Sequence, residues 1–397
     1  MEIAREIING AVLLYQQRSM PITSMAIACK VGSTNENREI KGISHFLEHM
    51  TFKGSKKRTQ QQITSEIESV GGYINAFTSY DVTGFYAKVP SKYFDNAFDV
   101  ISDMVQNPLF PESEIEKEKK VILEEIKMIH DDPKRFIFDK TFQSLYAGDF
   151  GLPIIGLKES VKKINRKKIL EWHRTNYGLN NFIISVVGRN SLEEVKEIVK
   201  QKIFLKNPIA TKKIPTKRIC KNYIEKRKHL EQAHLVFAFH LPDGYSNYRY
   251  SCEIIDAVLG YGMSSWLFQE VREKRALAYQ VKSNVELGRN YGYLAIYVGT
   301  HKDKIKEVEE IILRLIKKLR SIPKDDIEKA KQELIGYKQL KREDSLSTCL
   351  ELVEYELVGK AHEYEKYQEK ISEVNLSKIK KALAEMKGIA KISILPK

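Results

Sequence analysis

His45-Phe46-Leu47-Glu48-His49 places two imidazoles and a carboxylate within five consecutive residues. On a helix, His45 and His49 are one turn apart and share a face. Such a pair can hold one zinc ion through two ring nitrogens. Glu48 projects near the same face and can take a proton from a water polarised by that ion. The order is H-x-x-E-H, the inverse of the H-E-x-x-H order of many metalloproteases. The competing reading is a surface helix with two solvated histidines.

A catalytic zinc commonly takes three protein ligands and keeps a fourth position open. The missing ligand could be a carboxylate or another histidine. The segment from Glu112 to His130 is the obvious source. It follows Pro111 and is acidic in its first turn, a helix-start signal. Glu118 and Glu125 lie seven residues apart, almost two full turns, and so share a face. Val121 and Ile122 are expected on that side, so a helix that buries them turns both glutamates inward. Buried carboxylates are costly without a cation, and a metal ion removes that cost. Glu124 and His130 are alternatives, and an amphipathic surface helix with spare glutamates is the bland reading.

The elements that must position these residues are legible from their periods. Ala11–Tyr15, Met25–Cys29 and Phe182–Val187 are expected strands of the first half, as are Leu235–Phe239 and Ile389–Leu395 of the second. The chain repeats itself once. Thr83–Val89 is an alternating strand, followed by a helix with apolar residues at Phe94, Ala97, Phe98, Ile101, Met104 and Val105. Tyr291–Val298 is again a strand, followed by a helix with Ile305, Val308, Ile311, Ile312, Leu315 and Ile316. Setting Gly84 on Gly292 aligns strand with strand and helix with helix. The expected fold class is α+β: two homologous domains, each a mainly antiparallel sheet covered by helices on one face. The domains are expected at 1–206 and 222–397. Between them, 207–221 carries Pro208, Pro215 and no sustained period, as a linker does.

Composition narrows the function classes. The 397 residues are 42% hydrophobic, which permits large cores and argues against global disorder. No apolar run is long enough to span a bilayer, and the charged start at Glu2, Arg5 and Glu6 does not resemble a secretory signal. Cys29, Cys220, Cys252 and Cys349 are scattered without C-x-x-C spacing, as in a reduced cytoplasmic protein. A formal net charge of +14 could suggest nucleic acid. However, lysine and glutamate interleave as on solvated helix faces, and no nucleic-acid-binding pattern is present. No nucleic-acid or membrane partner is expected.

Gly42-Ile43-Ser44-His45-Phe46-Leu47-Glu48-His49-Met50-Thr51-Phe52-Lys53-Gly54 resembles the pitrilysin-type (M16) zinc metallopeptidases. So do Glu118–Ile126, Trp172-His173-Arg174-Thr175-Asn176-Tyr177 and the second half. The size is similar to that of the mitochondrial processing peptidase beta subunit and its bacterial homologues. The resemblance implies one Zn2+ per chain, held by His45, His49 and Glu125, with Glu118 supporting the ligands and Glu48 as general base. Chemistry alone leaves manganese or cobalt open at the same ligands.

Two further stretches carry the resemblance to the substrate. Gly71-Gly72 introduces Tyr73-Ile74-Asn75-Ala76-Phe77-Thr78, which matches a sheet-edge strand to which family members add the peptide. Asn75 and Ala76 match the positions beside the scissile bond. Backbone pairing of this kind makes loose demands on peptide sequence. In Ser264–Tyr279, Arg272 and Tyr279 match an arginine and a tyrosine that contact substrate and can stabilise an oxyanion. Read without the family, Arg272 would be a surface ion-pair partner and Tyr279 a core residue.

The implied protein is a zinc-dependent endopeptidase that hydrolyses unfolded peptides in a closed chamber, each chain forming half of a clamshell. Arg272 and Tyr279 would reach the metal of a second chain, which implies a homodimer with sites completed in trans. The alternatives are a processing peptidase for one precursor and a scaffold subunit of a hetero-oligomeric peptidase.

Overall fold

The computed structural model describes residues 3–205 and 214–397. Residues 207–213 of the expected linker lie outside the described residues. The chain divides into two compact units. Unit 1 comprises Met1–Lys127, Leu152–Pro215 and Lys341–Glu365; unit 2 comprises Met128–Gly151, Thr216–Leu340 and Lys366–Lys397.

Unit 1 is built on a six-stranded sheet of β1 (Ala4–Ile8), β2 (Ala11–Gln17), β3 (Ile22–Cys29), β4 (Tyr73–Thr78), β5 (Thr83–Pro90) and β6 (Phe182–Gly188), in the order β1-β2-β6-β3-β5-β4. Only the β2–β6 pair is parallel. Unit 2 has five strands: β7 (Tyr223–Arg227), β8 (Ala233–His240), β9 (Ala278–Leu287), β10 (Gly292–Thr300) and β11 (Lys387–Pro396), in the order β7-β11-β8-β10-β9. Its one parallel pair is β7–β11. Removing β1 from the first order leaves the second order, element for element. The internal repeat read from Gly84 and Gly292 is therefore a repeat of topology: both glycines lie in the strand next to the edge.

Cover on one face alone does not describe these sheets. All seven residues of β6 are buried, although their side chains alternate between faces. In unit 1 the Phe94–Gln106 helix packs on β3 and β5, and the Ser345–Leu357 helix packs on β3 and β6. Thr23 reaches Ser91, at the turn into the first helix, with hydroxyls 2.9 Å apart. Its neighbour Ser24 points the other way and meets Ser345, at the start of the second helix, at 2.8 Å. In unit 2 the Phe138 ring, on the Pro133–Leu145 helix, lies 6.0 Å from that of Tyr297 on one face. On the other, Ser283 bonds Asp256 of the Arg249–Gly260 helix. Ser283 pairs with Ile296, the residue before Tyr297. Strands buried on both faces read as continuous apolar runs rather than alternating ones. Phe182-Ile183-Ile184-Ser185-Val186-Val187 is such a run.

The extra layer of unit 1 comes from the second half of the chain, and that of unit 2 from the first half. Burying one Ile, Val or Phe is worth about 1.5–3 kcal/mol, so each supplies a large part of its unit's core. Both sheets end in an edge strand, β4 in unit 1 and β9 in unit 2.

Candidate metal centre

The Ile43–Thr51 helix buries Ile43, Phe46, Leu47 and Met50, the spacing of one helical face. That leaves His45, Glu48 and His49 on the other side, partly exposed. Its start is fixed by a fully buried carboxylate. Glu36 accepts hydrogen bonds from the Gly42 and Ser44 backbone N–H groups, both at 2.7 Å, two of the donors a helix start leaves without partners. Burial pushes the Glu36 carboxyl up, and Lys41 opposes that. Gly42 has φ 92°, and a Cβ there would meet Ile155 O at 2.6 Å. Glycine is required at this position by both conformation and space.

The second contributor is the Glu112–Asp131 helix, which buries Ile115, Glu118 and Ile122. Val121, expected on that face, is 44% exposed. Ile122 is buried on the face of Glu118 as expected, whereas Val121 is not, because the buried ridge runs through Ile115 and Ile122. Glu118 and Glu125 both reach the histidines. Glu118 Oε2 lies 2.9 Å from His49 Nδ1, and its other oxygen accepts from Lys53 Nζ at 2.6 Å. Burial pushes the Glu118 carboxyl up, but Lys53 and His49 outweigh it and hold it below the usual carboxylate range. With Nδ1 engaged, His49 presents Nε2.

Glu125 Oε2 lies 3.9 Å from His45 Nε2 and 3.8 Å from His49 Nε2. The imidazole centroids are 4.6 Å apart. These contacts are too long for hydrogen bonds. The alternatives Glu124 and His130 are engaged elsewhere: Glu124 pairs with Lys127 and His130 with Asp131. Among the described residues, His45, His49 and Glu125 are the group of acid, thiol and imidazole side chains whose donor atoms lie within 4.8 Å of one another. Burial, and then the neighbouring His49, lower the His45 pKa to about 3. A neutral His45 keeps one ring nitrogen with a free lone pair, which is what a metal ligand needs. Three lone-pair donors facing one point repel unless a cation lies between them. A tetrahedral zinc with bonds of about 2.0–2.1 Å sets its donors about 3.4 Å apart, near the 3.9 and 3.8 Å that separate Glu125 from the two imidazole nitrogens. The donor set fits zinc.

Glu48 stands beside this group. Its Oε2 accepts from Thr78 Oγ1 at 2.5 Å. Burial raises its pKa, while Thr78 and His49 pull it down. Thr78 ends β4, the edge strand that also carries Asn75 and Ala76. Asn75 Oδ1 accepts from the Ala76 N–H at 2.8 Å, and Asn75 Nδ2 donates to the Tyr73 hydroxyl at 2.7 Å. That N–H is engaged by a side chain rather than by β5.

Arg272 and Tyr279 belong to unit 2. Arg272 sits on a π-helical turn, Phe268–Glu273, a rare conformation common at functional sites. Its guanidinium lies 4.9 Å from the Phe268 ring centroid and 5.2 Å from that of Tyr279. Its Nη1 donates to the Tyr279 carbonyl at 3.0 Å. Among the described residues, Arg272 is thus held by two rings and a backbone carbonyl rather than by a carboxylate. Tyr279 is 78% exposed, so it is not a core residue. Ala276, between them, adopts φ +47°, and a register shift in β9 follows.

Glu36, Lys53, Thr78 and Phe268 escaped the sequence reading. Lys53 lies within the motif stretch, and Thr78 follows Ala76 by one strand period. Glu36 gave no signal, because only the fold brings it to the helix start.

Two imidazoles and a glutamate thus form a group that could hold a metal ion, with a further carboxylate beside them. Residues 11–156 match the insulinase family of peptidases, M16, and residues 163–334 match the domain described as the M16 inactive domain. An uncharacterised zinc protease of Rickettsia bellii is 34% identical over 84% of this chain and 82% of its own length. YmxG, an uncharacterised zinc protease of Bacillus subtilis, is 32% identical over 95% of this chain and 94% of its own. A protease of Helicobacter pylori has the same fold, with TM-score 0.93 at 20% identity over the full length of both chains. A putative M16-like peptidase of Alicyclobacillus acidocaldarius superposes with TM-score 0.87 at 19% identity, over all of this chain and 98% of that one. The chain belongs to peptidase family M16.

Proposed function

We propose that this protein is a zinc-dependent endopeptidase acting on unfolded peptides. The observation that carries the reading is the convergence of His45, His49 and Glu125 with Glu48 beside them. His45 Nε2, His49 Nε2 and a Glu125 carboxylate oxygen would hold the ion, one per chain. Zinc supplies Lewis acidity, lowering the pKa of water and polarising a carbonyl.

The chain's own residues do the rest. Glu48, partly exposed and tethered by one hydroxyl, accepts a proton from the attacking water and returns it to the leaving amine. Glu118 fixes the His49 tautomer. β4 offers an edge onto which a peptide can add as a further strand, with Asn75 and Ala76 beside the bond to be cut. Arg272 and Tyr279 would stabilise the developing oxyanion. We assign them to the site of a second copy, making the active form a homodimer with two sites completed in trans. Among the described residues, no helix is long and apolar enough to cross a membrane.

The test is mass spectrometry of an unstructured peptide pool incubated with the protein. Arms with chelator, with zinc restored and with Glu48→Gln accompany it. Many metal-dependent cuts, absent from the variant, are expected. Cutting of a single precursor only would make it a processing peptidase. No cutting by metal-loaded dimer would sink the enzyme reading and leave a scaffold. A monomer that is fully active would remove the trans assignment.

A further inference from the structure

We infer that Thr78 is a positioning residue for the reaction, joining the peptide-binding edge strand to the general base. This rests on the peptidase reading above and goes beyond it, since that reading gives Thr78 no role.

Glu48 projects from the helix that carries both histidines. Among the described residues, the Thr78 hydroxyl is the one hydrogen-bond donor to its carboxylate, at 2.5 Å. A glutamate side chain has three rotatable bonds and loses considerable freedom when fixed. One contact therefore decides where this carboxylate points. With Oε2 engaged by Thr78, Oε1 is the oxygen left to take a proton. Losing the hydroxyl would leave the base present but undirected. Misplacement by about 1 Å is enough to cost a hundredfold in rate.

The location of the tether matters as much as its length. Thr78 follows Ala76 by one strand period and so shares its side of β4. Ala76 directs its N–H away from β5, where it meets the Asn75 side chain. Ala76 and Phe85 are register partners, as are Thr78 and Thr83. A peptide adding at Ala76 must take over that N–H from Asn75. The strand it joins ends, two residues on, at the hydroxyl that holds the base. Backbone pairing of substrate and orientation of Glu48 are thus carried by one short strand, and a peptide that orders β4 orders the base as well.

The structural alternative is a hydrogen bond that merely closes the end of β4. Thr78→Val keeps the branched shape and removes the hydroxyl, and Thr78→Ser restores it. Metal-loaded protein would be assayed on a quenched peptide derived from a wild-type cut, with zinc content and unfolding midpoint measured alongside. Expected for Thr78→Val is a kcat lower by about 10- to 100-fold, with KM within about twofold and zinc content unchanged. Thr78→Ser should recover most of the rate. In a Glu48→Gln background, Thr78→Val should add nothing, as residues acting in series do not add. A Thr78→Val enzyme with wild-type kcat overturns the proposal while leaving the peptidase reading intact. So does a loss explained by zinc content or unfolding, or one that Thr78→Ser fails to rescue. Wild-type protein that cuts nothing overturns both.

Discussion

Replacing Glu118 by glutamine tests whether the carboxylate next to the histidines serves the metal or only the fold. Glu118 makes two charge-assisted contacts, 2.9 Å to His49 Nδ1 and 2.6 Å to Lys53 Nζ. Its side chain is nearly buried, at 7% exposure, so solvent screens these contacts little. Glutamine keeps the shape and one acceptor oxygen but loses the charge. Hydrogen bonds to charged groups are worth about 1.5–3 kcal/mol. The share lost falls on the His49 tautomer and on a Lys53 ammonium left without its carboxylate. Loss of an outer partner of a ligating histidine typically costs 10–100-fold in metal affinity, or about 1.4–2.7 kcal/mol. Zinc affinity would be measured by competition with a chromophoric chelator at neutral pH. Activity would be followed at limiting and saturating zinc. The expected result is affinity weakened within that range and activity largely restored by excess metal. Wild-type affinity would show that Glu118 does not act on the metal through His49.

Three further outcomes follow from other parts of the molecule. Glu125→Ala should lower bound zinc well below one per chain after dialysis, while the unfolding midpoint without metal stays near wild type; full zinc retention would mean another residue is the third ligand. Ala276 pays for its φ of +47°, so Ala276→Gly should be neutral or stabilising by up to about 1 kcal/mol, and denaturant unfolding showing a loss would contradict the strain. Asp256 is raised to about 6, by burial first, despite hydrogen bonds from Ser283 and the Val285 N–H. Its folded state therefore binds a proton more tightly than the unfolded chain does. The associated stability is complete below about pH 4 and is lost as pH rises through 6. Asp256→Asn should thus gain on wild type by up to about 2 kcal/mol between pH 4.5 and pH 7.5 in denaturant titrations. A difference independent of pH would show that Asp256 does not titrate in that window.

How much of this was legible depended on whether the controlling interaction was local. The H-x-x-E-H spacing needs only a helix, and the chain supplies one through Ile43, Phe46, Leu47 and Met50. The repeat was visible because Gly84 and Gly292 lie at the start of equivalent strands. Spacing put Glu118 and Glu125 on one helix, but which would approach a ring nitrogen and which would support it depends on how that helix packs. The inward face was misjudged at Val121 for the same reason: periodicity gives a stripe about a third of the helix wide, and neighbours decide its centre. The exposure of Tyr279 was hidden by the π-helical turn and the strained Ala276, local events that no apolar period records. Least legible were the second layers of the sheets. The apolar run in β6 demanded cover on both faces, yet nothing local says that Ser345–Leu357, far along the chain, supplies it.

Four glutamates lie at or near the centre, and their partners separate their chemistry. Glu36 is wholly buried and spends both oxygens on the N–H groups of Gly42 and Ser44, so it can build the helix start but has nothing left for substrate. Glu118 is held ionised by Lys53 and His49, which suits a fixed negative partner and disqualifies it as a proton carrier. Glu125 has no hydrogen-bond donor among the described residues and faces two imidazole nitrogens, so its lone pairs are available to a cation. Glu48 is pushed toward its protonated form by burial yet keeps one hydroxyl contact, the combination expected of a group that must both accept and release a proton. Environments that push apart the properties of like side chains are how acid, base and ligand roles become distinct. The division also constrains exchange among them. A glutamine at Glu36 would turn an N–H group toward a backbone donor, a glutamine at Glu118 would weaken a ligand, and a glutamine at Glu48 would leave the metal in place while removing the base. Only the last should abolish turnover with zinc content and fold both intact.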